Sequence, residues 1–354
     1  SAALRIAYAD KQSSIANAWK KWIGQNKGLI ELDAIGQKRA LEMQFMARAS
    51  AAENVGWMRL ISSMQAENEA LFPYQMARSM FIEWVYYGPD ILSYAQSFAP
   101  LIQNWNSLEE KGELDGTISD LKGRTSNHFR QYEARVDEGV MAALLDPYRE
   151  HLDVQFVPES MQNATNAEAW ASSIFEKSVF ADAEKMRGML DKPNPKAFAK
   201  LAKDPAFKLV QAMRSVYFNR VAGEYRAHTS ALDSLTGEYT AALRALFPEK
   251  AFFPDANSTM RLTYGAVAPY KAADAVNYDF ITTANGVLEK KDNTNPEFVV
   301  PDALDDLIRS RDFGPYADAS GELVVCFIHG TDITGGNSGS PVMDANGDLI
   351  GCAF

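Results

Sequence analysis

Hydrophobic positions along the chain keep a helical period up to about Lys250 and a strand period after it. Tyr8 to Ile23 predicts a first helix, with Gly24 and Gly28 punctuating its end. Trp57, Leu60, Ile61, Met64 and Leu71 recur at the i, i+3, i+4 spacing of a buried stripe, and Met80, Phe81, Trp84 and Val85 continue it until Gly88-Pro89. Asn106 to Gly123 carries five acidic residues and three glycines and predicts a loop, followed by a helix from about Ser126 to Leu145. Asp146-Pro147 and Val157-Pro158 mark irregular chain, Asn166 caps a helix through Trp170 and Ile174, and 192–195 reads as a linker. Asp204-Pro205 opens the longest helix, a capping carboxylate followed by proline at the first helical position. In it Phe218, Val221, Tyr225, His228, Leu232, Leu235, Tyr239, Ala242 and Leu246 form a seam at alternating spacings of three and four, built to pack on another helix.

Beyond Phe252 the pattern alternates. Met260, Leu262, Tyr264 and Ala266 interleave with Arg261, Thr263 and Gly265, which predicts a strand. Phe280–Thr283 and Gly286–Glu289 are further extended candidates, Pro301 to Ser310 a short helix, and Asp312 to Ser320 a loop. Glu322–His329 and Leu349–Phe354 are apolar runs flanking a Gly/Ser-rich segment, with Asp344–Asp348 as a hairpin turn. The expected class is therefore α+β: a helical domain over 1–250 and a β domain over 251–354.

Composition narrows the function. At 354 residues the chain has ample core for one large or two ordinary domains, and its 47% hydrophobic and 23% charged residues are ordinary for a soluble protein. A net charge of −11 argues against nucleic acid as a partner. No apolar run reaches the roughly eighteen residues of a membrane span. Ser1-Ala2-Ala3 is neither an initiator methionine nor a leader, and Phe354 stops inside an apolar strand, so a fragment or processed product is expected. Cys326 and Cys352 either pair across strands in an oxidising compartment or are two small unpaired core residues; their apolar surroundings favour the second.

Chemistry concentrates in Gly335-Gly336-Asn337-Ser338-Gly339-Ser340-Pro341-Val342. A serine between glycines on a tight turn is what acyl transfer needs, because glycine lets backbone N–H groups be aimed at a developing oxyanion. Ser338 Oγ is the candidate nucleophile, with the N–H groups of Gly336 and Ser338 as the oxyanion pair. The alternative is a Gly/Ser hairpin without chemistry. Of the four histidines, His128 and His151 have no partner at metal-ligand spacing, and His228 falls on the helical seam as a core residue. His329, nine residues before Ser338, occupies the preceding strand. With no H-E-x-x-H, C-x-x-C or Walker loop, no metal or other cofactor is expected.

Asp332-Ile333-Thr334-Gly335-Gly336-Asn337-Ser338-Gly339-Ser340-Pro341-Val342 resembles the nucleophile loop of one chymotrypsin-like family, the bacterial dipeptidyl peptidases of serine peptidase family forty-six. Ser14-Ile15-Ala16-Asn17-x-Trp19-Lys20 and Phe252 to Gly265 resemble the same family, so the likeness touches the start, middle and end of the chain. It implies a helical cap inserted in a two-barrel peptidase, with 251–354 as part of the second antiparallel β-barrel. It further implies that Asn17 accepts the free amino terminus of an oligopeptide substrate, an amide carbonyl suiting an ammonium. Phe354 lines the first specificity pocket or the barrel core, and Asp332 is structural. The family's catalytic His and Asp would lie in a first barrel upstream of Ser1, leaving this chain inactive alone. A second acidic contact and the residue that selects hydrophobic or acidic substrates would follow Phe354. A homodimer and a periplasmic or cell-envelope location are also implied. Two other readings stay open: a chymotrypsin-like endopeptidase, and a non-catalytic peptide-binding helical module on an inactive scaffold.

Overall fold

In the computed structural model, which describes residues 2–252, 259–333 and 336–354, the chain forms two compact units, Ser1–Phe252 and Phe253–Phe354. The first is helical: α1 (Ala2–Glu31), α2 (Ala34–Ala51), α3 (Val55–Ile82), α4 (Asp90–Ser97), α5 (Ala99–Gln103), α6 (Trp105–Glu110), α7 (Leu114–Arg130), α8 (Ala134–His151), α9 (Glu159–Gln162), α10 (Ala167–Phe175), α11 (Ala183–Asp191), α12 (Pro195–Lys200), α13 (Pro205–Val216) and α14 (Ala222–Leu246).

The seam on α14 packs on α3, and a π turn over Tyr217–Val221 joins α13 to α14. Tyr239, Ala242 and Phe247 close on Phe45, Ala49 and Leu60, giving a small core shared by α2, α3 and the end of α14. His228 lies on that seam as a satisfied side chain, its Nδ1 2.5 Å from Glu67 Oε1. The larger core collects Phe81, Trp84, Tyr94, Phe98, Phe180 and Phe198, and α3 reaches it through a π turn over Glu83–Tyr87 that ends at Gly88. Caps fall where short polar side chains precede a helix: Asn166 accepts from Ala169 N–H, Asn194 from Lys196 and Ala197 N–H, and Asp204 from Ala206 and Phe207 N–H.

Three boundaries differ from expectation. α1 runs through Gly24 and Gly28 to Glu31; both glycines face open space, so the helix loses only their propensity, about 1 kcal/mol each. The expected loop 106–123 is helical, because Ile118, Leu121 and Thr125 bury one stripe of α7 and outweigh the exposed glycines 116 and 123. The helix expected over 126–145 is instead the end of α7 and most of α8, which continues through Pro147 to His151 with Leu145 and Tyr148 buried on either side of the proline.

The second unit holds α15 (Asn285–Glu289), α16 (Asp302–Ser310) and six short strands: β1 (Tyr270–Ala273), β2 (Val276–Tyr278), β3 (Ile281–Thr283), β4 (Val324–Phe327), β5 (Pro341–Met343) and β6 (Leu349–Cys352). They pair antiparallel as β1–β2, β3–β4 and β5–β6. Val342 faces Gly351 in the last ladder, which turns at Asp344–Asp348 with Gly347 at φ +88°. The segment expected as a strand at 260–266 makes no ladder, and Met260, Leu262 and Tyr264 are exposed. Gly286–Glu289, expected to be extended, lies in α15, because Val287 and Leu288 pack on the Ala284, Ile308 and Phe313 core. Among the described residues no helix is long and apolar enough to cross a membrane, and no cluster of His, Cys, Asp and Glu is arranged to hold a metal.

Candidate active site

The Ser338 turn is fastened at both ends by backbone geometry. Upstream, Asp332 N–H donates to Thr263 Oγ1 at 3.1 Å, and Gly330 N–H to Ala266 O at 2.9 Å. Downstream, Gly339 N–H donates to Ala353 O at 2.8 Å and Ala353 N–H returns to Ser340 O at 2.9 Å. That reciprocal pair extends the β5–β6 ladder up to the serine. Between the fastenings Gly336 sits at φ +98° and Gly339 at φ +89°, in the region where a side chain is strained, so Ser338 is carried between two residues that must be glycine-like. Ser338 is exposed. Thr334 and Gly335 lie outside the described residues, as do Phe253 to Ser258 of the other segment that carried the family likeness.

Gly336 and Ser338 therefore share one turn, and Phe354 follows the residue that clips it. Phe354 is 91% exposed and lines a cavity of about 500 Å³ together with Phe327, Ile333, Val342, Ile350 and Cys352. Ser338 is not among the residues lining that cavity. Both cysteines are free thiols; Cys326 on β4 is half-buried, while Cys352 on β6 is exposed rather than a core residue, since the short β5–β6 ladder leaves it uncovered. His329 Nδ1 is taken up by Thr331 Oγ1 at 2.5 Å, and Val267 forms a bridge with the histidine's backbone.

Asn17 belongs to the helical unit. It is exposed on α1. No described side chain of α1 is buried, so the helix is held by polar pegs. Lys11 Nζ spans both Asp90 oxygens at 2.9 and 3.0 Å, and Tyr8 Oη accepts from Glu133 N–H at 3.2 Å. Behind α1 lies a cavity of about 360 Å³ lined by Ile15, Ala16, Trp19, Val136 and Val140, among others.

Around those pegs is a buried titratable cluster that no motif announces. Asp137 is 3% exposed and accepts Asp90 N–H at 2.6 Å and Ile91 N–H at 2.9 Å, capping α4 from α8. Burial nevertheless pushes its carboxyl up to about 6, against the lowering effect of those two donors. His128 stacks on Tyr94 with ring centroids 4.1 Å apart, and burial lowers its imidazole to about 4. Among the described residues its Nε2 and the Tyr132 hydroxyl are buried without a hydrogen-bond partner.

Comparison with known proteins is unequivocal about kinship. The Peptidase S46 family model matches residues 1–354. An Asp/Glu-specific dipeptidyl-peptidase of Flavobacterium psychrophilum is 34% identical over 353 residues, covering 99% of this chain and 49% of that protein. Dipeptidyl-peptidase 7 of Porphyromonas gingivalis is also 34% identical, over 365 residues, with the same coverages of 99% and 49%. The crystal structure of Porphyromonas endodontalis DPP11 in complex with the dipeptide Arg-Glu superposes with a TM-score of 0.81 at 26% identity, covering 99% of this chain and 50% of that one. The chain thus spans about half the length of the relatives it matches. Matched by the family model from its first residue to its last, the chain belongs to the peptidase S46 family.

Proposed function

We propose that this chain is the nucleophile-bearing part of a serine dipeptidyl peptidase that releases dipeptides from the free amino terminus of oligopeptides. The observation that carries the reading is the Ser338 turn, in which Gly336 and Gly339 adopt positive φ and the Gly339–Ala353–Ser340 clip holds the serine beside a strand end. The relatives' names add the reaction class. In this reading the three antiparallel ladders are pieces of a chymotrypsin-like barrel.

The chemistry follows from the residues assigned. Ser338 Oγ attacks the scissile carbonyl carbon while its proton passes to a histidine base, and the N–H groups of Gly336 and Ser338 hold the oxyanion. The C–N bond then breaks as the base returns that proton to the leaving amine. Water, activated by the same base, hydrolyses the acyl-enzyme and frees the dipeptide. The base is assigned to a part of the enzyme other than these residues. His329 is occupied by Thr331, His228 by Glu67, and His128 is buried against Tyr94. Asn17 accepts the substrate ammonium. Requiring a free ammonium in the bound substrate is what makes an exopeptidase. Overall likeness leaves the substrate preference open, because an Asp/Glu-specific dipeptidyl-peptidase and a dipeptidyl-peptidase 7 are both 34% identical.

Chromogenic dipeptide substrates with free and acetylated amino termini test the proposal on the full-length protein. Ser338→Ala is expected to abolish turnover without lowering Tm, and acetylation to abolish it in the wild type. Asn17→Ala is expected to raise KM for free-amine substrates about 10- to 100-fold, the worth of a hydrogen bond to a charged group. Equal cleavage of the acetylated substrate makes the enzyme an endopeptidase, and turnover that survives Ser338→Ala removes the nucleophile assignment.

A further inference from the structure

The chain's charge is −11, yet one stretch reverses it: residues 192–208 hold five lysines and one aspartate, a local charge of +4. Folding concentrates this further. Lys200, Lys203 and Lys208 join Lys177 around a surface cavity of about 590 Å³, contributed by α12, the turn after it, the start of α13 and the chain following α10. Among the described residues none of the four ammonium groups has an ion-pair or hydrogen-bond partner. Two other lysines of the helical unit are matched, Lys122 to Asp191 and Lys185 to Asp182.

The one carboxylate in the cavity wall does not neutralise them. Asp204 is 6% exposed, and its oxygens are committed to Ser178 Oγ at 2.8 Å and to the N–H groups of Val179 at 2.7 Å, Ala206 at 2.9 Å and Phe207 at 3.4 Å. Burial raises its carboxyl despite those donors. The remaining wall is apolar, from Val179, Met189, Ala197, Leu201 and Pro205.

We propose that this cavity binds a phosphate-bearing ligand with an apolar portion. Four like charges repel, and a multivalent anion among them relieves that repulsion while gaining from each. All four are lysines with no arginine between them. A lysine ammonium binds phosphate as a mobile point charge. The volume falls within the range of small-molecule sites, large enough for a phosphate group plus the apolar body that the wall accommodates. A phosphorylated small molecule and a phospholipid headgroup present this same chemistry.

The full-length protein titrated calorimetrically with inorganic pyrophosphate, and co-sedimented with vesicles of phosphatidylglycerol or of phosphatidylcholine, tests the site and separates the two sources. Saturable pyrophosphate binding is expected, weakened at least tenfold in Lys200→Gln/Lys203→Gln. A control that removes two exposed lysines elsewhere, Lys20→Gln/Lys21→Gln, is expected to leave it unchanged. Wild-type binding should also weaken more steeply than the variant's between about 50 and 300 mM salt. Co-sedimentation with the anionic vesicles alone, lost in Lys200→Gln/Lys203→Gln, assigns the site to a headgroup; pyrophosphate binding without vesicle binding assigns it to a soluble phosphate. All four positions are exposed, so the variants should keep the wild-type Tm. The proposal is overturned if neither probe binds, or if both lysine pairs reduce binding equally.

Discussion

Replacing Gly336 by alanine separates the geometry of the Ser338 turn from its stability. At φ +98° an L-residue pays about 1–2 kcal/mol that glycine does not. A Cβ built there meets nothing within 4 Å, so the whole effect is backbone strain rather than collision. The strain can be kept, at that cost in stability, or relieved by rotating the peptide and moving its N–H group. Gly336 and Ser338 are exposed, so rotation uncovers no core and relief is the cheaper course. Losing one oxyanion donor costs about 10²–10³ in kcat, equivalent to roughly 2.7–4 kcal/mol of transition-state stabilisation. Gly336→Ala is therefore expected to lose about 100- to 1000-fold in kcat on a free-amine dipeptide substrate, with KM within about twofold and Tm nearly unchanged.

Gly347 supplies the matched control. It has φ +88° and equally open surroundings, but it lies in the turn between β5 and β6, whose paired residues Met343 and Leu349 restrict rotation. Gly347→Ala should retain its strain, lowering Tm by several degrees for a unit of this size while leaving kcat intact. The two glycines thus predict opposite phenotypes from the same chemical change. If Gly336→Ala keeps more than about a third of wild-type kcat, or Gly347→Ala loses as much as Gly336→Ala, the positive φ at Gly336 is not what aims the oxyanion donor.

Legibility in the sequence followed the range of the interactions. The Asn166 and Asp204 caps, the break at Gly88 and the Asp344–Asp348 turn were readable because each is decided within a few residues. The α14 seam was readable because its period persists over many turns. Glycine misled where its local cost was overruled from a distance: α7 exists because Ile118 and Leu121 reach the core, which their neighbours in sequence do not disclose. Gly286–Glu289 was read as extended because a two-residue apolar run has no period, and packing of Val287 and Leu288 on Ile308 and Phe313 decides for helix. The same division holds at the sites. The Ser338 turn is local, so its glycines and serine could be read together from the sequence. The lysine cavity draws on residues up to 31 positions apart, and the Asp137–His128 cluster on side chains from α7 and α8, so only the fold assembles them.

Two stability predictions test those longer-range assemblies. Asp204→Ala should destabilise the helical unit by about 3–5 kcal/mol in urea unfolding, because it removes a cap and strands the Ser178 hydroxyl and Val179 N–H, whereas Asn194→Ala, at an exposed cap, should cost about 1 kcal/mol. Equal costs would contradict a shared role for Asp204 in capping α13 and tying down the chain after α10. The second concerns pH. Asp137, at about 6 when folded against about 4 unfolded, contributes stability that is full below pH 4 and lost as pH rises through 6; His128, at about 4 against about 6.5, contributes stability that is full above pH 6.5 and lost as pH falls through 4. Between those limits the folded chain keeps its proton on Asp137 and the unfolded chain keeps one on His128, so the two states hold equal numbers and the slopes cancel. His128→Phe should therefore expose a fall of about 3 kcal/mol from pH 4 to 6.5, and Asp137→Asn a rise of similar size, since each isolates a shift of about two pKa units. Parallel pH dependences in both variants would refute the cancellation, whatever the absolute stability of either protein.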